Sequence, residues 1–319
     1  MARSHRTGQP TSPSPAVSYD EFIAFRRSLP RTPRLERQTV RARGIDFAVF
    51  TSPPHPPAIA ASGPPLVCIN GGMLYDHSML WPALSPLAMT RQVILYDQRG
   101  RGTSSAPADP LDATIDDDAA DVSALRRALG IRRWDVLGHS WGGGIAMLAA
   151  AGDLAGVRRL VLVDAVGPTN KWMPLLRQNV IDRLVGDERE AVASIPEDAL
   201  GNPDPVLHST YSRAVYPAWF ADREMAHRFT PPEALSRTGA AILSRLRRGY
   251  DWRERMRAVS TPALVIHAED DPLPLAVADE NSYILSNART VVVPSSGHMP
   301  FWEAPQRFFA LVQAFLEVT

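Results

Sequence analysis

The sequence predicts an α/β fold in which a mostly parallel central sheet is flanked by helices. Short, β-branched apolar runs alternate with helical patterns in residues 18–167 and again in residues 258–319. Such alternation is typical of parallel strands joined by helices. In residues 168–257 the alternation stops, and helical patterns with many aromatic side chains follow. We therefore expect two parts of one core, separated by a helical insertion after the sixth strand.

Composition agrees with this fold and excludes several classes of protein. The chain has 319 residues, enough for one large α/β domain with an insertion. Its 34 Lys and Arg residues balance 34 Asp and Glu residues, so we expect neither a nucleic-acid partner nor an anionic membrane. The single cysteine, Cys68, cannot form an intrachain disulfide, and we interpret it as a small core residue.

The amino-terminal segment bears on the cellular location that the sequence predicts. Residues 1–17 are polar and rich in Pro and Ser, which is typical of a disordered arm and not of a signal peptide. Elsewhere no apolar run reaches the roughly 18–20 residues that a membrane span needs. We therefore expect a cytoplasmic protein.

The individual elements follow from the pattern of apolar residues in chain order. A β-hairpin that turns at Gly44 is predicted because Ile45, Phe47 and Val49 alternate along its second arm. Six further apolar runs predict buried strands at residues 65–69, 92–96, 134–137, 160–163, 263–266 and 290–293. Helical patterns predict helices at residues 19–29, 116–129, 143–151, 275–285 and 308–315.

One pentapeptide in this pattern carries a chemical signal. Residues 138–142 read Gly-His-Ser-Trp-Gly and lie between a predicted strand and a predicted helix. A G-x-S-x-G sequence at such a junction is typical of a nucleophile elbow, where the serine backbone is strained and the glycines leave room for a sharp turn. Ser140 is therefore predicted to be a nucleophile, with the Trp141 N–H directed toward a substrate carbonyl.

A serine nucleophile needs a base, and the base needs an acid that orients it. The predicted strand at 263–266 is followed by a loop with three carboxylates, and the strand at 290–293 is followed by His298. Because the carboxyl ends of parallel strands meet at one rim of a sheet, we expect these groups to lie near Ser140. No two histidines have the spacing of a metal site such as H-E-x-x-H, so no metal is expected.

Together, the elbow at Ser140, the carboxylates at 269–271 and Gly297-His298 resemble the α/β-hydrolase superfamily. The resemblance covers the chain from about residue 38 to the C-terminus. It implies an α/β-hydrolase fold in which residues 168–257 form a helical cap over the active-site rim.

The resemblance also implies which carboxylate orients His298. Members of the superfamily commonly carry the acid three places after a small residue that closes the strand, which here is Asp271 after Ala268. Asp270 and Glu269 are the neighbouring alternatives. Asp164, which closes the strand at 160–163, is a separate alternative because some members carry the acid on that strand.

The loop after the strand at 65–69 supplies a second part of the expected site. It contains Gly71 and Gly72, and glycines let backbone N–H groups approach a developing oxyanion without interference from side chains. We expect the N–H groups of Gly72 and Trp141 to form the oxyanion hole.

A further string narrows the resemblance to one branch. Residues 97–104 read D-Q-R-G-R-G-T-S and, with the G-G loop before them and Ser-Trp-Gly after them, are similar to proline iminopeptidases, a branch of serine aminopeptidases. The chain departs from that branch at Asn70, where His is usual, at residues 73–74, where Pro-Gly is usual, and at His139, where Gly is usual. We expect the string itself to be scaffold, with Arg99 paired to a carboxylate.

The function implied by the resemblance is cleavage of a carboxylic ester or amide bond of a small molecule through an acyl-enzyme, without a cofactor. One alternative is a proline iminopeptidase-type aminopeptidase, whose cap carboxylates would bind the free amino group of a short peptide. An acyltransferase or perhydrolase is the lesser alternative, because the same elbow occurs there. We expect a minority of the cap aromatics to line the pocket, and either a monomer or a homo-oligomer.

Overall fold

The computed structural model describes residues 19–28, 32–53, 63–229 and 234–317, so the predicted disordered arm lies outside the described residues. The strands are β1 (Glu36–Ala42), β2 (Ile45–Thr51), β3 (Leu66–Ile69), β4 (Val93–Tyr96), β5 (Trp134–His139), β6 (Val157–Val163), β7 (Ala263–Ala268) and β8 (Ala288–Val293). They form one sheet in the order β1-β2-β4-β3-β5-β6-β7-β8. The pairs β1/β2 and β2/β4 are antiparallel and all the others are parallel, so the sheet is mostly parallel, as predicted.

Helices pack on both faces of this sheet and form the insertion. They are α1 (Tyr19–Ser28), α2 (Ile115–Ala128), α3 (Trp141–Gly152), α4 (Met173–Arg183), α5 (Gly186–Ala193), α6 (Pro205–Val215), α7 (Arg223–Arg228), α8 (Arg237–Arg248), α9 (Arg253–Arg257), α10 (Leu275–Ile284), α11 (Pro300–Glu303) and α12 (Pro305–Glu317). None of the described helices combines the length and the apolarity needed to span a bilayer.

Strand β3 shows most directly that the sheet is buried on both faces. Val67 and Ile69 pack in the core that includes α2, α3 and α10, whereas Leu66 and Cys68 pack in the core that includes α12. This division follows from the two-residue period of a strand. Cys68 is thus the small core residue that the sequence predicts, and burial raises the pKa of its thiol.

The strand predictions are confirmed, with differences at the ends. The hairpin turns at Arg43 and Gly44, whose φ angles are 46° and 78°. Strand β5 continues two residues beyond the predicted end, because its parallel pairing with β6 extends to His139, which lies opposite Val163. That extension brings the sheet directly to the elbow.

Between β6 and β7 the alternation of strand and helix is replaced by helices, as the sequence predicts. We call α4 to α8 the cap helices. The cap contacts the rim through the short 3-10 turn Tyr216–Trp219, where the Trp219 carbonyl accepts the His298 N–H at 2.7 Å. The domain division at residues 168 and 257 stays a prediction.

The D-Q-R-G-R-G-T-S string is scaffold, as predicted. Arg99 donates two hydrogen bonds of 2.6 Å to Asp121. Arg101 pairs with both carboxylate oxygens of Asp118, at 2.9 and 2.8 Å, and also donates to the Met73 carbonyl at 2.8 Å. These buried pairs attach the glycine loop after β3 to helix α2 and thereby hold one wall of the site.

Candidate active site

Ser140 lies at the turn between β5 and α3, in a backbone conformation with φ 55° and ψ −121°. A non-glycine residue in such a conformation is strained, which is typical of a nucleophile elbow. A Cβ atom on Gly138 would lie 2.3 Å from the Gly142 carbonyl oxygen, and one on Gly142 would lie 2.1 Å from the Ile69 oxygen. The two glycines are therefore required by the close approach of β3, β5 and α3.

His298 follows β8 and lines the same cavity as Ser140. Its Nδ1 is 2.7 Å from Oδ2 of Asp271, and both side chains are buried. The Leu273 N–H donates to the other oxygen of Asp271 at 2.8 Å, which fixes the carboxylate. Burial lowers the pKa of His298, so its ring is neutral near neutral pH. With Nδ1–H donated to Asp271, Nε2 is left as a proton acceptor.

The neighbouring carboxylates do not reach His298 in this way. Asp270 and Glu269 are exposed, and Glu269 accepts the Ser295 N–H at 3.1 Å. Of the three carboxylates in the loop after β7, the structure thus brings Asp271 to His298.

Asp164, the separate alternative, lies in the same buried cluster. Side-chain atoms of Asp164, Asp271 and His298 all lie within 4.8 Å of one another. One oxygen of Asp164 accepts the Ala268 N–H at 2.7 Å. Burial, together with the negative charge of Asp271, raises the pKa of Asp164 well above its ordinary value. Burial also raises the pKa of Asp271, but the Leu273 N–H and the neighbouring Asp164 side chain lower it again, so Asp164 holds a proton more readily than Asp271 does.

The expected oxyanion donors border Ser140. A Cβ atom on Gly71 would lie 2.6 Å from Ser140 Cβ, so the glycine loop touches the elbow. Gly72 has a φ of 78° and, like Trp141, lines the cavity. Trp141 is the first residue of α3, where backbone N–H groups have no partner within the helix.

Asn70, which stands where the resembled branch usually has His, holds the loop after β3 in place. Its buried side-chain amide donates to the carbonyls of Gly71 and Tyr75, both at 3.1 Å. The backbone carbonyl of Asn70 accepts a hydrogen bond from the side-chain amide of Gln98 at 3.0 Å. Asn70 thus closes the loop with hydrogen bonds of its own.

Glu303 was missed by sequence reasoning. Its buried carboxylate accepts backbone N–H groups from Ala221 at 2.7 Å, Asp222 at 3.1 Å and Gly297 at 2.8 Å. It therefore joins the cap to the loop that carries His298. Its place five residues after His298 was the available signal, but the sequence does not show which backbone groups it meets.

We expect Glu303→Gln to lower both stability and turnover. The amide presents an NH2 group to buried N–H donors, and an unsatisfied buried donor costs about 1–3 kcal/mol. A thermal melt and kcat with an ester substrate measure the two effects. Glu254→Gln, an exposed change on α9, serves as the control. An unchanged melting temperature in Glu303→Gln would contradict the joining role.

The cavity above Ser140, including its open mouth, encloses about 1080 Å³. Its apolar wall comes from both the core and the cap helices. The aromatic side chains that line it are Tyr75, Trp141, Trp172, Tyr211, Tyr216 and Trp219. Residues 168–257 contain eight aromatic residues, and four of them, Trp172, Tyr211, Tyr216 and Trp219, line the cavity, which is more than the expected minority. The reason is that the turn before α4, helix α6 and the turn after α6 all border the cavity.

The charged residues that line the cavity are not the cap carboxylates expected for an aminopeptidase. Among the described residues no carboxylate from the cap lines the cavity. Glu233, another acidic residue of the 168–257 insertion, lies outside the described part of the chain. Instead, two cap arginines, Arg177 and Arg247, face the cavity. Sequence reasoning missed both, because each lies in an ordinary polar stretch of a helix.

Two groups of described side chains have the composition of a metal site. They are the Asp164, Asp271 and His298 cluster and a second cluster of Asp76, His77 and Asp97. In the second, His77 Nδ1 lies 2.7 Å from Asp97, just as His298 does from Asp271 in the first. Histidine–carboxylate hydrogen bonds account for both contacts.

Comparison with known proteins identifies the family to which this fold belongs. The family model described as the alpha/beta hydrolase fold matches residues 64–305. A proline iminopeptidase from Lactobacillus delbrueckii subsp. bulgaricus is 28% identical over 273 residues, which cover 79% of this chain and 89% of that protein.

Solved structures show the same fold. A proline iminopeptidase from Mycobacterium smegmatis has a TM-score of 0.66 at 23% identity, covering 88% of this chain and 97% of that one. An enol-lactonase from Burkholderia xenovorans LB400 has a TM-score of 0.65 at 23% identity, covering 88% and 100% of the two chains. The chain therefore belongs to the α/β hydrolase fold family, as an enzyme of the hydrolase type related to the proline iminopeptidase branch.

Proposed function

We propose that this enzyme is a serine ester hydrolase in which Ser140 is the nucleophile, His298 the base and Asp271 the acid that orients it. One observation supports the proposal most strongly. The strained Ser140 and a buried His298, hydrogen-bonded to Asp271 at 2.7 Å, line one cavity.

The proposed reaction follows from these positions. His298 Nε2 takes the proton of Ser140 Oγ as Oγ attacks the ester carbonyl carbon. The N–H groups of Gly72 and Trp141 stabilise the oxyanion, each contributing about 3–4 kcal/mol in comparable sites. His298 then gives its proton to the leaving alkoxide oxygen, and the acyl group stays on Ser140. Water, giving a proton to His298, then attacks the acyl carbon. As the bond from that carbon to Ser140 Oγ breaks and the acid leaves, His298 returns the proton to Oγ.

The charges in the cavity favour an ester substrate over a free peptide amine. An aminopeptidase must bind a charged α-amine, and a buried cation without a partner is costly. The described wall offers two arginines and no cap carboxylate, so it repels an ammonium group. Esters also need less protonation of the leaving group than amides do.

Aminopeptidase activity is the second candidate, because the relative from Lactobacillus delbrueckii carries the name proline iminopeptidase at 28% identity. The substrates that separate the two are p-nitrophenyl esters of short acids, prolyl arylamide and N-acetylprolyl arylamide.

We expect the esters to be hydrolysed readily and both arylamides slowly, because the wall lacks a carboxylate for the amine. Initial rates with each substrate measure this. Rapid cleavage of the free prolyl arylamide alone would establish the aminopeptidase instead. If an added alcohol or peroxide captured the acyl group faster than water does, the enzyme would be an acyltransferase or perhydrolase.

A further inference from the structure

Three cap helices bring two guanidinium groups to one place on the cavity wall. Arg177 on α4 and Arg247 on α8 both line the cavity. Their Cζ atoms lie 5.8 and 5.7 Å from the centre of the Tyr211 ring on α6. The two cations therefore share one aromatic ring inside a largely apolar pocket.

The protein supplies little charge to balance this pair. Glu197 is the carboxylate that acts on Arg247, and it is exposed at the surface. Burial lowers the pKa of the Arg247 guanidinium, and the positive charge of Arg177 acts in the same direction. Such an arrangement is unfavourable by itself, since like charges in a region of low dielectric repel.

Some of the donors on these arginines are also unused. Nη2 of Arg177 donates to the Ile195 carbonyl at 2.6 Å, which accounts for the placement of that side chain. Nη1 of Arg177 and Nε of Arg247, however, are buried without a hydrogen-bond partner among the described residues. Buried polar atoms are rarely left in this state, because each costs free energy.

A purely structural role does not account for these observations. The Tyr211 side chain hydrogen-bonds to the Arg247 guanidinium and the Ile195 carbonyl accepts from Arg177, but neither contact uses Nη1 of Arg177 or Nε of Arg247. The other histidines that line the cavity, His139 and His208, add no charge, because burial lowers the pKa of each. The wall thus has an excess of positive charge and of N–H donors, and a carboxylate satisfies both.

We propose that Arg177 and Arg247 bind a carboxylate group of the substrate, so that the preferred substrates are esters that carry a second, anionic group away from the scissile bond. This inference rests on the proposed ester hydrolysis. It identifies the substrate class that the cap selects, and the carboxylate belongs either to the acyl part or to the alcohol part of the ester.

Two pairs of substrates test the proposed carboxylate site. One pair carries the carboxylate in the acyl part of the ester and the other carries it in the alcohol part. The first pair is the p-nitrophenyl half-ester of glutarate and the matching glutaramide ester, in which a neutral amide replaces the carboxylate. The second pair is 4-carboxyphenyl butyrate and 4-carbamoylphenyl butyrate. For each pair, kcat/KM of the anionic ester is divided by that of its neutral counterpart, after subtraction of the Ser140→Ala background. Comparing this ratio between variants cancels the intrinsic reactivity of the esters.

We expect the ratio for one pair to fall about 10- to 100-fold in Arg177→Met and in Arg247→Met, the usual effect of losing hydrogen bonds to a charged group. Arg248→Met is the matched control, because Arg248 follows Arg247 on α8, is exposed and donates to the Gly201 carbonyl. Its ratio should equal that of the wild type. Arg247→Lys, which keeps the charge, should give an intermediate ratio.

Equal ratios in the wild type and in both methionine variants, for both pairs, would overturn the proposal. A thermal melt of each variant shows whether it is folded, and calorimetry on Ser140→Ala gives a measurement that needs no turnover. Glutarate should bind there more tightly than glutaramide, and equal binding would count against the carboxylate site. Failure of the ester reaction itself is recognised separately, as the absence of Ser140-dependent hydrolysis of the neutral esters.

Discussion

Ser140→Ala is expected to abolish labelling by a fluorophosphonate probe and to reduce ester turnover by about 10⁴- to 10⁶-fold, the range typical of serine hydrolases that lose their nucleophile. Without Oγ there is no atom to form the acyl-enzyme. Loss of the hydroxyl leaves the glycine contacts of the elbow in place, so the fold should persist. Mass spectrometry of the labelled protein and stopped-time ester assays measure the two effects.

A second serine that lines the cavity provides the control for Ser140→Ala. Ser212 also lines the cavity but lies in the middle of α6 and has no elbow. Labelling should persist in Ser212→Ala. Probe label that stays on Ser140→Ala would place the nucleophile elsewhere and would refute the proposed mechanism.

The second large effect is expected for Asp271→Asn, which should reduce kcat by roughly 10⁴-fold, as the equivalent change does in a well-studied triad. The amide would donate a hydrogen bond to His298 Nδ1 and so favour the tautomer with its proton on Nε2, which cannot accept the serine proton. The change is isosteric, so the Leu273 N–H keeps its partner if the amide oxygen faces it. Steady-state kinetics with a p-nitrophenyl ester measure the loss.

Two further asparagine variants test the assignment of the acid. Asp270→Asn should have little effect, because Asp270 is exposed. Asp164→Asn should also be mild, since the amide keeps a donor toward Asp271 and an oxygen for the Ala268 N–H. If Asp164→Asn reduced kcat as strongly as Asp271→Asn, Asp164 would be the orienting acid, as in the members of the superfamily that carry it on that strand.

The chain shares the framework of the proline iminopeptidases to which it is related. The chain keeps the D-Q-R-G string, whose Arg99 and Arg101 pairs hold the glycine loop against α2. In the cap, the described wall carries Arg177 and Arg247 where an amine-binding site would need carboxylates. The proposed preference for anionic esters follows from this difference in charge.

Much of the site could be inferred from the order of residues along the chain. Apolar runs define parallel strands, and the carboxyl ends of such strands meet at one rim. Ser140 after β5, Asp271 after β7 and His298 after β8 must therefore lie close together, whatever the details of packing. The glycines of the elbow could be recognised for the same reason, because a sharp turn between strand and helix leaves room for little else.

Only the tertiary structure decided the character of the pocket. Arg177 and Arg247 lie on different helices, and whether a side chain faces solvent or the cavity depends on how α4, α6 and α8 pack against one another. Asp164 likewise joins Asp271 because β6 and β7 are neighbours, and Glu303 finds its three N–H donors only where the cap meets the His298 loop. Sequence periodicity identifies strands and buried faces, but contacts between distant polar side chains depend on distances and directions that the folded chain alone sets.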